Sequence, residues 1–138
     1  MLKHALAGLI LTATATTSFA ANYEVTITNV TPGQFFTPQM VVTHPRNVHL
    51  FILGEPASME LEILAEGGDT APLTMMFEDS SYDIQTIPGL LGPGESTSIT
   101  LSGQPGHGYL SFAAMMIPTN DSFVAVDHLR LPHYRTVN

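Results

Sequence analysis

Short apolar runs separated by glycine and proline turns place the strongest limit on the fold of this chain. Residues 23–29 alternate apolar with polar side chains, which is the period of a half-buried β-strand. Turn signals then recur at short intervals, at Pro32-Gly33, Pro88-Gly89, Gly92-Pro93-Gly94 and Pro105-Gly106. A chain interrupted this often has little room for long helices, so the pattern predicts short antiparallel strands joined by tight turns.

The same pattern predicts the number and type of the elements. Two short helices are predicted, over residues 59–65 before Gly67-Gly68 and over residues 71–77 after a cap at Asp69 or Thr70. Strands are predicted over residues 23–29, 39–43, 48–53, 82–87, 96–101, 109–116 and 123–131. About seven short strands with one or two short helices predict an all-β fold, an antiparallel β-sandwich.

The first twenty residues have the features of a signal peptide. Lys3 supplies the positive start, residues 5–11 the apolar core, and Ser18-Phe19-Ala20 a small-x-small cleavage site. The apolar run is much shorter than the roughly 20 residues that a membrane span needs. We therefore predict cleavage after Ala20, a single domain over residues 21–138 without a membrane span, and a secreted or periplasmic location.

Composition narrows the classes of partner. The chain contains no cysteine, which excludes disulfides and thiol chemistry, and its 12 acidic residues against four Lys and Arg give a net charge of −8. Such charge argues against nucleic acid and anionic membranes as partners, because both would repel it. Cations, neutral glycans and basic protein surfaces fit better, although acidity also serves solubility alone.

An oxygen-rich turn is the main candidate for a binding site. Thr119, Asn120, Asp121 and Ser122 lie between two strand-like apolar runs, and Asp127 interrupts the second run. Calcium binds carboxylate, amide and hydroxyl oxygens in irregular geometry, so this turn suits it. Asn and Asp also stabilise turns through their own backbone, so turn chemistry alone explains the same residues.

Three segments together resemble the bacterial members of the spondin-domain family, over about residues 23–132. They are YEVTITNVTPGQ near the start, GEPAS with the following LAEGGDT, and PTNDSFVAVDHLRLP. The resemblance implies a secreted C2-like β-sandwich that acts as a binding or adhesion module for a protein or glycan ligand at the cell surface. It also implies a bound Ca2+ with Asp121 as one ligand, and proximity adds Asn120 and Asp127 as supporting candidates.

The resemblance also implies carboxylate ligands in a D-A-G-x-D/E type segment, which would lie downstream of the last residue, Asn138. We therefore expect the domain to be incomplete at its C-terminus. The strand that ends near Leu131 would then be an edge strand. Unpaired edges promote pairing between chains, so self-association is expected.

A copper carrier and an enzyme are the two alternatives to a spondin-type binding module. A periplasmic copper carrier would use soft methionine and imidazole ligands, here His107 with Met115 or Met116 and with His44 or His49. Methionines within apolar runs also fill cores, which explains them without a metal.

No G-x-S-x-G, H-E-x-x-H or G-x-x-x-x-G-K motif is present. We therefore predict a protein that is not an enzyme.

Thermal melts with and without calcium test the assignment of Asp121. A ligand at a hundred times its Kd adds about 2.7 kcal/mol to stability, so saturating calcium should raise the Tm of residues 21–138 by several degrees. Asp121→Ala should abolish this rise and leave the Tm in chelator nearly unchanged. A calcium response that survives the substitution would place the site elsewhere, and a response to copper(I) would favour the copper carrier.

Overall fold

The computed structural model describes residues 21–78 and 81–132, so the predicted signal peptide lies outside the described residues. The two helices are α1 (Met59–Gly67) and α2 (Ala71–Met76). The strands are β1 (Ala21–Thr28), β2 (Phe35–Phe36), β3 (Gln39–His44), β4 (Asp83–Ile87), β5 (Ser96–Gly103), β6 (Tyr109–Ile117) and β7 (Phe123–Arg130). The predicted all-β class with two short helices is confirmed.

The strands form two antiparallel sheets. β1 pairs with β5 along its whole length, and β3 pairs with both β4 and β6. β7 pairs with the other side of β6, and the two residues of β2, just before β3, pair with the end of β6. Among the described strands β7 has no second neighbour, so the expected edge position of this strand is confirmed.

The larger sheet is covered on both faces, which gives three layers. On one face Val41, Leu110 and Phe112 pack with the inward residues of β1 and β5. On the other face Met40, Val42 and Ala113 pack with Leu61, Leu64 and Leu73 of the helices. Burial of each of these leucines contributes about 1.5–3 kcal/mol. Because both faces are covered, β6 is almost continuously apolar in sequence.

Helix α1 begins at Met59 and ends at the Gly67-Gly68 pair, as the sequence predicts. The Ser58 hydroxyl accepts a hydrogen bond from the Leu61 N–H, and Gly68 ends the helix in the left-handed region at φ 69°. Only a residue without Cβ takes that conformation at no cost. At α2 the two predicted cap residues share the role, because Thr70 is the N-cap residue and the Asp69 carboxylate accepts from the Ala71 N–H.

The two seams of the sandwich differ. The edge of β5 that faces away from β1 is bonded to side chains of β4. Asp83 accepts from the Ser102 N–H at 2.7 Å, and Gln85 donates to the Thr100 carbonyl at 3.1 Å. The opposite seam, between β1 and β7, is an apolar groove of about 380 Å³ lined by side chains such as Val126. Polar bonds therefore close one seam, and the other is mainly apolar, with the Tyr23 hydroxyl donating to the Pro132 carbonyl beyond β7 at 3.1 Å.

One predicted strand is wrong, and one short strand was missed. Residues 48–53 form no strand, because the Leu50 N–H is bonded to the Asp127 side chain instead of a neighbouring strand. The apolar residues at the start of this run cover the helical face of the sheet, where Leu50 is buried and Val48 and Phe51 pack against the core. The missed strand β2 is only two residues long, which is too short for a sequence period to show.

A buried asparagine joins the end of β1 to two loops. The Asn29 amide group donates to the carbonyls of Gln34 and Leu91, and its oxygen accepts from the backbone and hydroxyl of Thr31. The side chain is fully buried, so water cannot replace any of these bonds. Asn29 therefore fixes the T-P-G-Q turn against the segment before β5.

Asn29→Asp should destabilise the fold by roughly 2–5 kcal/mol, because it buries a carboxylate against two carbonyl oxygens that have lost their donor. Urea denaturation measures this loss. The matched control is Asn22→Asp, which makes the same change at an exposed position of β1 and should alter stability by less than about 0.5 kcal/mol. Equal stability of the two variants would contradict the role assigned to Asn29.

Candidate functional site

A β-bulge in β7 builds the main polar site of the described structure. The register of β6 and β7 shifts between Leu110 and Phe112, so that Asp127 and His128 together oppose Ser111. His128 takes a positive φ of 60°, which is uncommon outside glycine. Successive strand residues normally point to opposite faces, but this bulge places both Asp127 and His128 on the helical face of the sheet.

Asp127 is the centre of a hydrogen-bond network that we call the histidine–aspartate cluster, formed by His44, His49, Ser111, Asp127 and His128. One carboxylate oxygen accepts from the Leu50 N–H at 2.6 Å, and the other lies 2.8 Å from His49 Nδ1. The Asp127 side chain is 16% exposed and that of His49 is 42% exposed. The carboxylate thus joins β7 to the segment after β3.

Ser111 connects the carboxylate to a buried histidine. Its hydroxyl lies 2.8 Å from His44 Nε2 and 3.3 Å from an Asp127 oxygen, and it accepts from the His128 N–H at 3.0 Å. The second nitrogen of His44 lies 2.9 Å from the Pro45 carbonyl, which can only accept. His44 Nδ1 therefore carries a proton. In the neutral ring Nε2 is then an acceptor, and the single hydrogen of the Ser111 hydroxyl points either to this nitrogen or to the Asp127 carboxylate.

Three rings stack beside the carboxylate. The ring of His128 lies between Tyr109, at 4.0 Å between centroids, and His49, at 4.2 Å. The Nδ1 atom of His128 lies 3.1 Å from the Val48 carbonyl, so this nitrogen donates. The His44 ring is 5.8 Å from that of His128. Three imidazoles and a single carboxylate therefore share one small volume.

The electrostatics follow from burial and from hydrogen bonding. Desolvation is the largest influence on His44 and lowers the pKa of its imidazole, against the opposing effect of the bond to Pro45. Desolvation alone would raise the pKa of Asp127, but the bonds from His49 and from the Leu50 N–H outweigh it. The pKa of this carboxyl therefore lies below its ordinary value, and Asp127 is ionised at neutral pH.

The cluster contains the residue types of a hydrolase but not their order. In a Ser-His-Asp triad the carboxylate orients the histidine, and the histidine activates the serine. Here the Asp127 carboxylate contacts Ser111 itself, and His44 holds the other side of the same hydroxyl. Ser111 is also fully buried, so a substrate cannot reach its oxygen without a rearrangement.

The calcium candidates of the sequence are not brought together. Asn120 and Asp121 are exposed in the β6–β7 turn, which Thr119 and Ser122 stabilise through their own hydrogen bonds. Asp127 is six residues further along β7, about 20 Å away at ~3.3 Å per residue. Over residues 21–78 and 81–132, no group of three or more His, Asp or Glu side chains could hold a metal ion. Asp121 as a calcium ligand stays a prediction, and Asp127 does not lie beside it.

The copper candidates are also separated. His107 lies in the turn before β6, where its ring contacts Tyr82, whereas Met115 and Met116 lie near the other end of the same strand. Eight residues of extended strand place them about 27 Å apart. Of this set the structure uses His44 and His49 in the histidine–aspartate cluster, away from both methionines.

Sequence reasoning did not single out His128 and Ser111, and it named Asp127 only as a supporting calcium candidate. The available signal was the Asp127-His128 pair inside a strand, where two adjacent polar residues break the alternation of the apolar run. Such a break is typical of a bulge.

An exposed apolar loop is held by the cluster. The anchored loop, residues 45–58, is buried at Leu50 but exposes Ile52 and Leu53 at 62% and 89%. Both side chains line a depression of about 570 Å³ together with His49 and Asp127. An adjoining depression continues from His49 to Met76 of α2. The polar cluster therefore lies directly below an exposed apolar surface.

The fold is that of an antiparallel β-sandwich module, with a helical layer and loops that carry exposed side chains. The chain belongs to the spondin N-terminal domain family (Spondin_N), whose profile matches residues 12–136. Spondin domains are typically extracellular. Comparison with curated protein sequences finds no significant match. None of the helices in the described segments is long and apolar enough to cross a membrane.

The pKa shifts in the cluster predict how stability depends on pH. His44 has a lowered pKa in the folded protein, so its contribution is complete above pH ~6.5 and is lost as the pH falls below that value. Asp127 also has a lowered pKa, so its contribution is complete above pH ~4 and is lost in stronger acid. Urea denaturation between pH 8 and pH 2.5 should therefore show two successive losses of stability on acidification.

Asp127→Asn should remove most of the second loss, below pH ~4, and lower stability at neutral pH, because the carboxylate no longer accepts from His49 and Leu50. The matched control is Asp121→Asn, which makes the same change at the exposed turn and should keep the wild-type profile. An Asp127→Asn profile parallel to that of the wild type would contradict the assignment.

Proposed function

We propose that this chain is an exported, non-catalytic binding module of spondin type that contacts a protein partner at the cell surface through the anchored loop. The observation that carries the proposal is the exposure of Ile52 and Leu53 at 62% and 89% on a loop whose base is fixed to the sheet. Adjacent large aliphatic side chains left in water at a loop tip are typical of an interaction site.

The chemistry of the surface favours a protein over a glycan. The exposed side chains of the anchored loop are aliphatic, and Met76 of α2 extends the same surface at 43% exposure. Aliphatic and methionine side chains match the apolar core of a protein interface and adapt to its shape. The one phenyl ring of the loop, Phe51, is turned towards Phe123 of the sheet at 6.0 Å between centroids.

The absence of catalysis is part of the proposal. The Ser111 hydroxyl is enclosed and has hydrogen-bond partners on every side, which suits a structural role. Export is supported by the signal-peptide pattern of residues 1–20 and by the typically extracellular location of spondin domains. Calcium at Asp121 would add stability at the β6–β7 turn, two residues before Phe123, and the proposal does not depend on it.

The double variant Ile52→Ser/Leu53→Ser tests the contact surface. Binding of the fluorescently labelled protein to intact cells of the source organism is measured by titration at pH 7.5. Loss of two buried aliphatic contacts should weaken the apparent Kd at least tenfold, which corresponds to about 1.4 kcal/mol. The Tm should change little, because neither side chain is part of the core.

Val30→Ser is the matched control, since Val30 is 86% exposed but lies at the end of β1, away from the anchored loop. This variant should bind as the wild type does. The proposal is wrong if the double variant retains wild-type affinity, or if Val30→Ser weakens binding to the same degree.

A further inference from the structure

We infer that the histidine–aspartate cluster is a pH-sensitive latch, which holds the anchored loop on β7 at neutral pH and releases it in mild acid. The inference rests on the proposed function, since this loop carries the proposed contact surface. It adds a regulation of that surface by the pH of its surroundings.

All the polar bonds that join the anchored loop to β7 end on two adjacent residues. Asp127 accepts from the Leu50 N–H and contacts His49 Nδ1, while His128 donates to the Val48 carbonyl. The stacking of His49 on His128 adds a contact between the same two segments. Each of these contacts involves an imidazole, except the hydrogen bond from the Leu50 N–H to Asp127. The attachment of the loop is therefore built largely from imidazole groups, each of which can gain a proton and a positive charge.

The cluster has room for one additional proton but not for two. A proton on His49 is neutralised by Asp127 at 2.8 Å. A second proton on His128 would place two positive rings in a face-to-face stack with centroids 4.2 Å apart. Among the described residues, Asp127 is the one carboxylate bonded to this stack, and it is already used by His49.

The other groups around the stack do not relieve this repulsion. Tyr109 of β6 presents a neutral ring to His128, and His44 of β3 is a third imidazole 5.8 Å away. Arg130 is paired with Tyr109 in register and adds positive charge to the same strand as His128. Glu55 of the loop lines the depression next to His49, but it belongs to the segment that would leave.

Release of the loop separates His49 from His128 and lets both rings take a proton. The released state then binds one proton more than the latched state. Acidification therefore raises the ratio of released to latched molecules, by up to tenfold for each unit of pH. Leu50 remains the apolar anchor of the loop, so the change is local and the sheet stays folded.

Amide hydrogen exchange of the unliganded full chain tests the latch. Protection factors, corrected for the intrinsic effect of pH, are compared at pH 7.0 and pH 5.0. In the wild type the Leu50 amide should lose at least tenfold in protection, while the amides of Val41 in β3 and Phe112 in β6 keep theirs. His49→Gln retains a donor for Asp127 but cannot take a charge, so its Leu50 protection should be the same at both pH values.

His107→Gln is the matched control, because His107 lies outside the cluster, and it should show the wild-type loss. An unchanged Leu50 protection in the wild type would overturn the latch, and so would an equal loss in His49→Gln or a parallel loss at Val41 and Phe112. Because this experiment contains no partner, its failure leaves the binding titration of Ile52→Ser/Leu53→Ser at pH 7.5 as a separate test of the proposed function.

Discussion

The bulge at Asp127 and His128 is the constraint on which the polar site depends. In a regular strand these neighbours would point to opposite faces, and His128 would point into the apolar layer against β1. The extra residue turns both towards the helices, and Leu129 then returns to the apolar face. One backbone irregularity thus places a carboxylate and an imidazole side by side without disturbing either core.

Hydrogen bonds from side chains complete the fold where strand pairing stops. Asn29 joins two loops, Asp83 and Gln85 cover the free edge of β5, and Asp127 holds a segment that forms no strand. Each of these polar groups is supplied with partners, which is the condition for burial without a large cost. The small sheet of β1 and β5 is too narrow to supply such order by itself, so these side chains set the geometry of its surroundings.

The sequence predicts the strands and helices well and the site poorly, for a physical reason. Period-two and helical spacing are local properties, so β1, β5, β6 and α1 agree with their predicted ranges to within a few residues. Residues 48–53 form a short apolar run like that of a buried strand, but the Leu50 N–H is bonded to an aspartate 77 positions away. His49 and Asp127 meet through the same long-range packing, which no spacing along the chain reveals. The family resemblance pointed to the turn at Asp121 and gave no indication of the bulge.

The pairing of the first strand with the fifth has a consequence for the order of folding. Ala21 is the register partner of Gly103, so β1 stays without its partner until most of the chain has been made. Its apolar side chains are exposed during that time, and closing so long a segment is slow. A newly made chain of this topology remains open for threading through a narrow channel, and it becomes compact only when its second half arrives.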